Sequence, residues 1–237
     1  LTLTYPLIGN YGVPYRKENC ELGLPFESER VQISALIVCD YSEKFSHWNG
    51  EKSLSDWLRE NDVPGLTGID TRALTKKLRE QGTMLGKIVF RGEDVELHDQ
   101  NEDNLVAEVS TPEPVLYGEG RRHRVAVIDC GGKNNIVNNL VSRGVEVLRV
   151  PWDHEFEEDG KLDGVMLTNG PGDPKMCART VHQLRRLLQR RIPIFGICLG
   201  HQLLSLAVGA DTYKLKYGHR SQNQPVIESG TNRCFIT

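Results

Sequence analysis

The chain has 237 residues, of which 38% are hydrophobic, with 29 Lys and Arg against 32 Asp and Glu and a net charge of −3. That is enough for two modest domains with a packed core. No run of about 18 apolar residues is present to span a membrane as a helix. The near-balanced charge argues against a nucleic-acid footprint.

Six cysteines stand at positions 20, 39, 130, 177, 198 and 234. Their spacing is irregular and no C-x-x-C pair occurs, so reduced thiols in an intracellular protein are expected rather than a disulfide framework. The chain begins Leu1-Thr2-Leu3-Thr4 without Met and ends on the apolar run Cys234-Phe235-Ile236-Thr237. Both ends read as cut from something longer.

In chain order, Leu1 to Thr4 reads as the end of a strand and Pro6 to Gly12 as turns. Glu18 to Arg30 is mixed and polar. Val31 to Val38 is rich in strand formers. A polar loop, Tyr41 to Glu51, carries Trp48. Ser53 to Asn61 has Leu54, Trp57 and Leu58 on one helical face. Asp70 is placed to cap a helix over Thr71 to Gln81, stopped by Gly82. Met84 to Phe90 reads as a strand. Residues 91–123 are charged, contain Pro112 and Pro114, and end in Gly118-Glu119-Gly120-Arg121-Arg122, which suggests a domain boundary near 120.

The second half has a different rhythm. Buried-strand patterns at Arg124–Asp129, Val145–Val150, Gly164–Leu167 and Ile192–Ile197 alternate with helical stripes. One stripe is Ile136, Val137, Leu140 and Val141, in a helix over Lys133–Arg143. Another is Val181, Leu184, Leu187 and Leu188, in a helix over Ala178–Arg190. This alternation calls for a parallel, doubly wound sheet. A further apolar-periodic run follows over Leu199–Val208. Beyond it, Tyr213, Leu215 and Tyr217 read as an exposed strand turned by Gly218. Val226-Ile227 and Arg233–Thr237 read as strands joined across Ser229-Gly230.

Two loops fall at the carboxyl ends of these strands, where open α/β sheets bind ligands. Gly196-Ile197-Cys198-Leu199-Gly200 is a cysteine version of the G-x-S-x-G elbow. At a helix N-terminus the thiol of Cys198 would be favoured as thiolate. The pentapeptide alone is equally compatible with a buried structural cysteine. The second loop is Asn169-Gly170-Pro171-Gly172-Asp173-Pro174, directly after a strand. Alone it is an ordinary turn. Beside G-x-C-x-G it becomes a stiff loop whose free N–H groups could stabilise an oxyanion. Gly131-Gly132-Lys133 superficially suggests a phosphate loop, but the first glycine of that motif is missing and Asn134 replaces Ser/Thr.

TNGPGDP followed by FGICLGHQLL resembles the class I glutamine amidotransferases, from Arg124 to Thr237. LTLTYPLIGNYG, PGLTGIDTRALTKKLREQGTMLGKIVF and NLVAEVS resemble the N-terminal domain of the carbamoyl-phosphate synthetase small subunit. SHW, SLSDWL and GTMLGKIVF look most like the animal forms, both the fused pyrimidine-synthesis multienzymes and the arginine/urea-pathway synthetases.

The resemblance implies an α/β chain. A small-subunit α+β domain over 1–118 would lack its start. A linker would occupy 119–123. A doubly wound, parallel-sheet amidotransferase domain over 124–237 would lack its C-terminal part. It further implies that Cys198 attacks the side-chain amide of L-glutamine and that a γ-glutamyl thioester forms. The N–H groups of Leu199 and Gly170 would form the oxyanion hole. Gly170, Gly172, Leu199 and Gln202 would bind glutamine.

No metal or cofactor is expected in this region. ATP, bicarbonate and Mg²⁺ would be used by a synthetase large subunit or domain on the same polypeptide, which takes up the ammonia. No nucleic-acid or membrane partner is expected. The compartment would be cytoplasmic for the pyrimidine type and mitochondrial for the urea type. The family's base, a histidine in H-P-E with an orienting glutamate, and its glutamine-binding Q-N-H-G and T-D-P-S-Y segments do not occur in this sequence. The family does not use the position of His201 as base, so His201 is expected to be a structural, hydrogen-bonding residue. His219 is expected at the surface. Asp70, Arg72, Lys76 and Lys77 read equally as a docking surface for the synthetase and as a capped helix with a solvated face. The rival readings are a non-catalytic interaction domain and another triad amidotransferase.

Overall fold

The computed structural model describes residues 1–14, 26–157, 160–216 and 224–236. Cys20, Tyr217, Gly218, His219 and the residues at 18–25 and 237 lie outside these, and with them the expectations placed there.

The first part of the chain is built from very short ladders. Leu7–Ile8 (β1) pairs in parallel with Asp40–Tyr41 (β4), and Leu36–Ile37 (β3) in parallel with Gly65–Leu66 (β6). Val13–Pro14 (β2) runs antiparallel to Gly50–Lys52 (β5). Leu36, Val38 and Leu58 form the buried centre, with Leu3, Ile8, Ile33, Tyr41, Leu54 and Val63 packed on it. Helix α1, Leu54–Glu60, starts where Ser53 accepts a hydrogen bond from the Asp56 N–H. Helix α2, Thr71–Gln81, starts where Asp70 accepts from the Ala73 N–H, and stops at Gly82 with φ 94°. Both caps satisfy N–H groups that a helix start leaves without partners. The side chains of Arg72, Lys76 and Lys77 are exposed.

Three expected strands are shorter or missing. Leu1–Thr4 contributes a single bridge from Thr2 to Ile37. The run Val31–Val38 narrows to β3. Met84–Phe90 forms no strand, and Met84, Leu85, Ile88, Val89 and Phe90 are each at least 40% exposed. Strand-forming residues become a strand only where a neighbouring backbone takes their N–H and C=O groups. Among the described residues none does so here.

The second part is a five-stranded sheet. Its strands are Val115–Tyr117 (β7), His123–Asp129 (β8), Val145–Pro151 (β9), Gly164–Leu167 (β10) and Ile194–Gly196 (β11), in the order β11-β10-β8-β9-β7. β8 to β11 are parallel and β7 is antiparallel. Helix α4 is Asn134–Val141, α5 is Ala178–Gln189 and α6 is Leu199–Ala207.

Alternation along the strands sorts the helices onto two faces. Ala126, Ile128, Leu148 and Val150 pack with Leu184, Leu187, Leu199 and Leu203 of α5 and α6. Val125, Val127, Val145 and Val147 pack with Val137 and Val141 of α4. This is the doubly wound arrangement that the strand and helix rhythm predicts.

The sheet also recruits chain from upstream of the expected 119–123 connection. β7 pairs with β9, and Val106 of α3 (Leu105–Val109) is 1% exposed in the α5/α6 core. Residues 211–216 form no strand, contrary to the alternation read there, while Tyr213 is exposed as expected. Pro225–Ile227 (β12) and Cys234–Ile236 (β13) form the expected hairpin, and its strand residues are exposed. Among the described residues no helix is long and apolar enough to cross a membrane.

Leu184 is fully buried and Trp48 is 87% exposed. Leu184→Ala is therefore expected to cost about 2–5 kcal/mol. Trp48→Ala should stay within about 0.5 kcal/mol. Urea unfolding of the two variants checks this.

Candidate active site

The carboxyl ends of β8, β10 and β11 meet at one edge of the sheet. β11 ends at Gly196, and two residues later Cys198 sits with φ 52° and ψ −108°, immediately before α6. A positive φ is rare for a residue with a side chain and costs of the order of 1–3 kcal/mol. Close packing on both sides holds it there. A Cβ at Gly196 would lie 2.5 Å from the Gly200 carbonyl group, and a Cβ at Gly200 would lie 2.5 Å from Leu167 Cβ. The Ile197 N–H donates to Leu167 O at 3.0 Å, and the Gly200 N–H to Thr168 O at 3.2 Å. Leu199 is driven into the core at 2% exposure, while Cys198 is left exposed.

The exposed elbow separates Cys198 from the buried thiols. Cys130 and Cys177 are both inaccessible. Burial pushes the Cys177 thiol up to about 11, and that of Cys130 further still. These two are the structural cysteines of the α/β core. At Cys198 the reading of a buried structural thiol does not hold.

The second loop packs directly against the elbow. A Cβ at Gly170 would come within 2.0 Å of Cys130 O and 2.8 Å of Leu199 Cδ2, so only glycine fits between β8 and the first turn of α6. Among the described residues neither the Gly170 nor the Leu199 N–H donates to a backbone carbonyl. Gly172 takes φ 84° and is exposed, and Asp173 caps the short turn Pro174–Met176. Gln202 follows one helical turn after Cys198, donating its N–H to Cys198 O at 3.2 Å, with its side chain exposed. Cys198, Leu199 and Gly170 thus meet at one strand-end edge, with Gln202 one turn along α6 and Gly172 further along the loop against Leu105.

His201 is exposed and contributes only its carbonyl, which accepts from Ser205 Oγ at 2.9 Å. The expected hydrogen-bonding role of its ring is not found among the described residues. α6 buries Leu199, Leu203 and Ala207, and His201 falls on the other face.

Sequence reasoning passed over Asp129. It ends β8, has no accessible surface, and its carboxylate is held by four residues. Its Oδ1 accepts from Gly131 N–H at 2.9 Å and Gly132 N–H at 2.8 Å. Its Oδ2 accepts from Thr111 N–H at 3.0 Å, Arg149 Nε at 2.9 Å and Arg149 Nη2 at 2.7 Å. A signal was present: a charge closing a buried-strand pattern, RVAVID, and an arginine inside another, VEVLRV. The Gly131 and Gly132 amides are turned inward to this carboxylate, so the glycine pair is no phosphate cradle. Behind Gly170 and Pro171 an open cleft of about 1100 Å³ runs between residues 27–32, 107–112 and 131–134.

Comparison with known proteins agrees with this arrangement. Residues 126–237 match the family model "Glutamine amidotransferase class-I". A doubly wound sheet with an exposed cysteine on a strand-to-helix elbow is, here, a class-I glutamine amidotransferase domain. Residues 1–88 match the "Carbamoyl-phosphate synthase small chain, CPSase domain". The chain thus carries a carbamoyl-phosphate synthase small-chain domain followed by a class-I glutamine amidotransferase domain.

The whole chain is 48% identical to the multifunctional protein CAD of Squalus acanthias, of which it spans 11%. It is likewise 48% identical to the mitochondrial ammonia-type carbamoyl-phosphate synthase of Aquarana catesbeiana, spanning 16%. It is 46% identical to the arginine-specific carbamoyl phosphate synthase small chain of Aspergillus oryzae, spanning 55%. It therefore covers between about a tenth and about half of these relatives' own length.

Two outcomes are expected from the site geometry. In the native chain, Cys198 and Cys234, both exposed, should react with a maleimide well before Cys130 and Cys177, which should label only on unfolding. Peptide mapping after timed labelling reads this directly. Gly170→Ala should destabilise the chain by about 1–3 kcal/mol or more through overpacking. Gly86→Ala, with open space around it, should be close to neutral. Thermal unfolding of the pair distinguishes the two.

Proposed function

We propose that this chain is the glutaminase-bearing part of a glutamine-dependent carbamoyl-phosphate synthase. The observation that carries the reading is the exposed Cys198 at φ 52°, seated at the start of α6 beside the Gly170 loop. In this reading the Cys198 thiolate attacks the side-chain carbonyl carbon of L-glutamine. The negative charge that develops on the carbonyl oxygen is met by the N–H groups of Leu199 and Gly170. The C–N bond breaks and the nitrogen leaves as ammonia, taking a proton from solvent. Water then hydrolyses the γ-glutamyl thioester to glutamate and regenerates Cys198. Gly172 and Gln202 contact the substrate.

The ammonia passes to a synthetase partner that uses ATP, Mg²⁺ and bicarbonate. That partner is proposed to lie on the same polypeptide. The sheet-side placement of Val106 and β7 supports extending the amidotransferase unit upstream of the 119–123 linker. The product feeds pyrimidine synthesis in the cytoplasm, or arginine and urea synthesis in mitochondria if the chain is of the other type.

A second reading has one observation in its favour. A relative of equal identity, 48%, carries ammonia in its name. In that reading the domain is a non-catalytic partner of the synthetase. The presence of Cys198 on a strained, exposed elbow weighs against it.

Cys198→Ser in the parent protein separates the two. Glutamine-dependent carbamoyl phosphate formation should fall by a factor of about a thousand or more, since the nucleophile is lost. Ammonia-dependent formation should stay within about twofold. Unchanged glutamine-dependent turnover would remove Cys198 from its role.

A further inference from the structure

The loop that carries Gly170 has few contacts of its own to fix it. β10 ends at Leu167, and the chain from Asn169 onward leaves the sheet. Three side-chain contacts tie its start to the loop after β8. Thr168, 2% exposed, accepts from the Cys130 N–H at 2.9 Å and donates to its neighbour's carbonyl, Asn169 O, at 2.9 Å. Asn169 Oδ1 accepts from the Lys133 N–H at 3.3 Å, and Asn169 Nδ2 donates to Gly131 O at 3.4 Å. One planar amide, on the residue just before Gly170, thus spans both ends of the Gly131–Lys133 turn.

That turn is itself a fixed body. Its glycine N–H groups are held by Asp129, and a Cβ at Gly132 would lie 2.6 Å from Thr168 Cβ. On its far side, Glu27 O accepts from the Asn134 N–H at 3.0 Å and Glu27 Oε2 from the Asn135 N–H at 3.0 Å. Asn169 therefore fastens the Gly170 loop to a turn that is anchored by the sheet below and the first domain above. A side chain at 170 would meet Cys130 O at 2.0 Å and Leu199 Cδ2 at 2.8 Å, so the Gly170 backbone lies close against both the turn after β8 and the first turn of α6.

We propose that Asn169 is a positioning residue: its side-chain amide locks the Gly170–Gly172 loop to the Gly131–Lys133 turn and so sets the direction of the Gly170 N–H beside Cys198. This deepens the glutaminase reading and rests on it for the use of that N–H. Asn169 does not touch the reacting atoms. A lost hydrogen bond between a loop and its support loosens the loop before it loosens the core, and misdirection of an oxyanion donor affects the reaction of a carbonyl substrate more than simple alkylation of a thiol.

The test uses the parent protein, with Asn169→Ala and, as a milder change, Asn169→Asp, which keeps the acceptor for Lys133 and loses the donor to Gly131. Amide hydrogen exchange is measured first. In Asn169→Ala the amides at 131–133 and 170–173 should exchange about tenfold faster or more, with β9 and α5 unchanged, and Asn169→Asp should show a smaller rise at the same places. Unchanged loops in both variants, or an equal rise in β9 and α5, would overturn the proposal.

Alkylation of Cys198 is then followed by peptide mass spectrometry. One reagent is a chloroketone analogue of glutamine and the other iodoacetamide. The ratio of the two rates should fall about fivefold or more in Asn169→Ala, with the iodoacetamide rate within twofold of wild type. A parallel fall in both rates would overturn the positioning role. If the wild-type chain shows no preference for the glutamine-shaped reagent, the glutaminase reading itself fails, and the exchange data alone decide whether Asn169 fixes the loop.

Discussion

A buried carboxylate organises the functional edge of this molecule. Asp129 closes the central strand of the sheet, has no accessible surface, and is met by five donors from four residues: Gly131, Gly132, Thr111 and Arg149. These donors come from three pieces of the architecture. The glycines begin the turn into α4, Thr111 leads into the antiparallel strand β7, and Arg149 lies on the neighbouring strand β9. Burial works against the Arg149 charge, but the Asp129 carboxylate beside it outweighs this and holds the guanidinium charged more firmly than usual. Such a pair is weak evidence for net stability, because desolvation offsets the attraction. Its value lies in direction. A carboxylate with every lone pair engaged leaves the turn after β8 only one way to go.

That turn supports the chemistry indirectly. Gly170 stacks against Cys130 O, one residue past Asp129, and Gly132 stacks against Thr168. The loops after β8 and β10 are therefore set by backbone contact at distances no side chain could enter. The elbow follows the same rule, with Gly196 against Gly200 and Gly200 against Leu167. The strain at Cys198, of the order of 1–3 kcal/mol, persists because the alternatives would collide with this packing. Closeness at four glycines and exposure at one cysteine are two sides of the same constraint. The core can be dry and dense only if the residue at the apex points out.

Much of this was legible in the residues. The valine and isoleucine runs gave the four parallel strands, and the stripes of α5 and α6 face the core as their spacing requires. The caps of α1 and α2 fell at Ser53 and Asp70 as read. What failed was β structure that depends on a partner. Met84–Phe90 and 213–216 have the right residue types, but a strand is a property of two segments and only one was visible. Val115–Tyr117 failed in the opposite sense: a three-residue stretch between prolines and glycines looks like linker until β9 offers its edge. The positive φ at Cys198 could be inferred from its flanking glycines. The Asp129–Arg149 and Asn169 contacts could not, because each joins residues 20 to 38 positions apart whose polarity alone says nothing of direction.

The first domain reaches the site through the same turn. Phe26 O accepts from Asn134 Nδ2 at 2.9 Å, Glu27 caps the start of α4, and Glu29 lies 3.7 Å from Arg149. Glu27 and Glu29 are exposed, so each contact contributes only about 0–1 kcal/mol. Covalent continuity into α3 and β7, which pack with the sheet, holds the halves together more firmly than these polar contacts do. The consequence is an asymmetric join. The segment before β7 is committed to the amidotransferase sheet through Val106, while residues 26–32 rest lightly on the turn that Asp129 fixes and Asn169 grips. A displacement of the first domain would be felt at that turn before it reached any strand, because the turn is where the weakest contacts of one unit meet the most constrained backbone of the other.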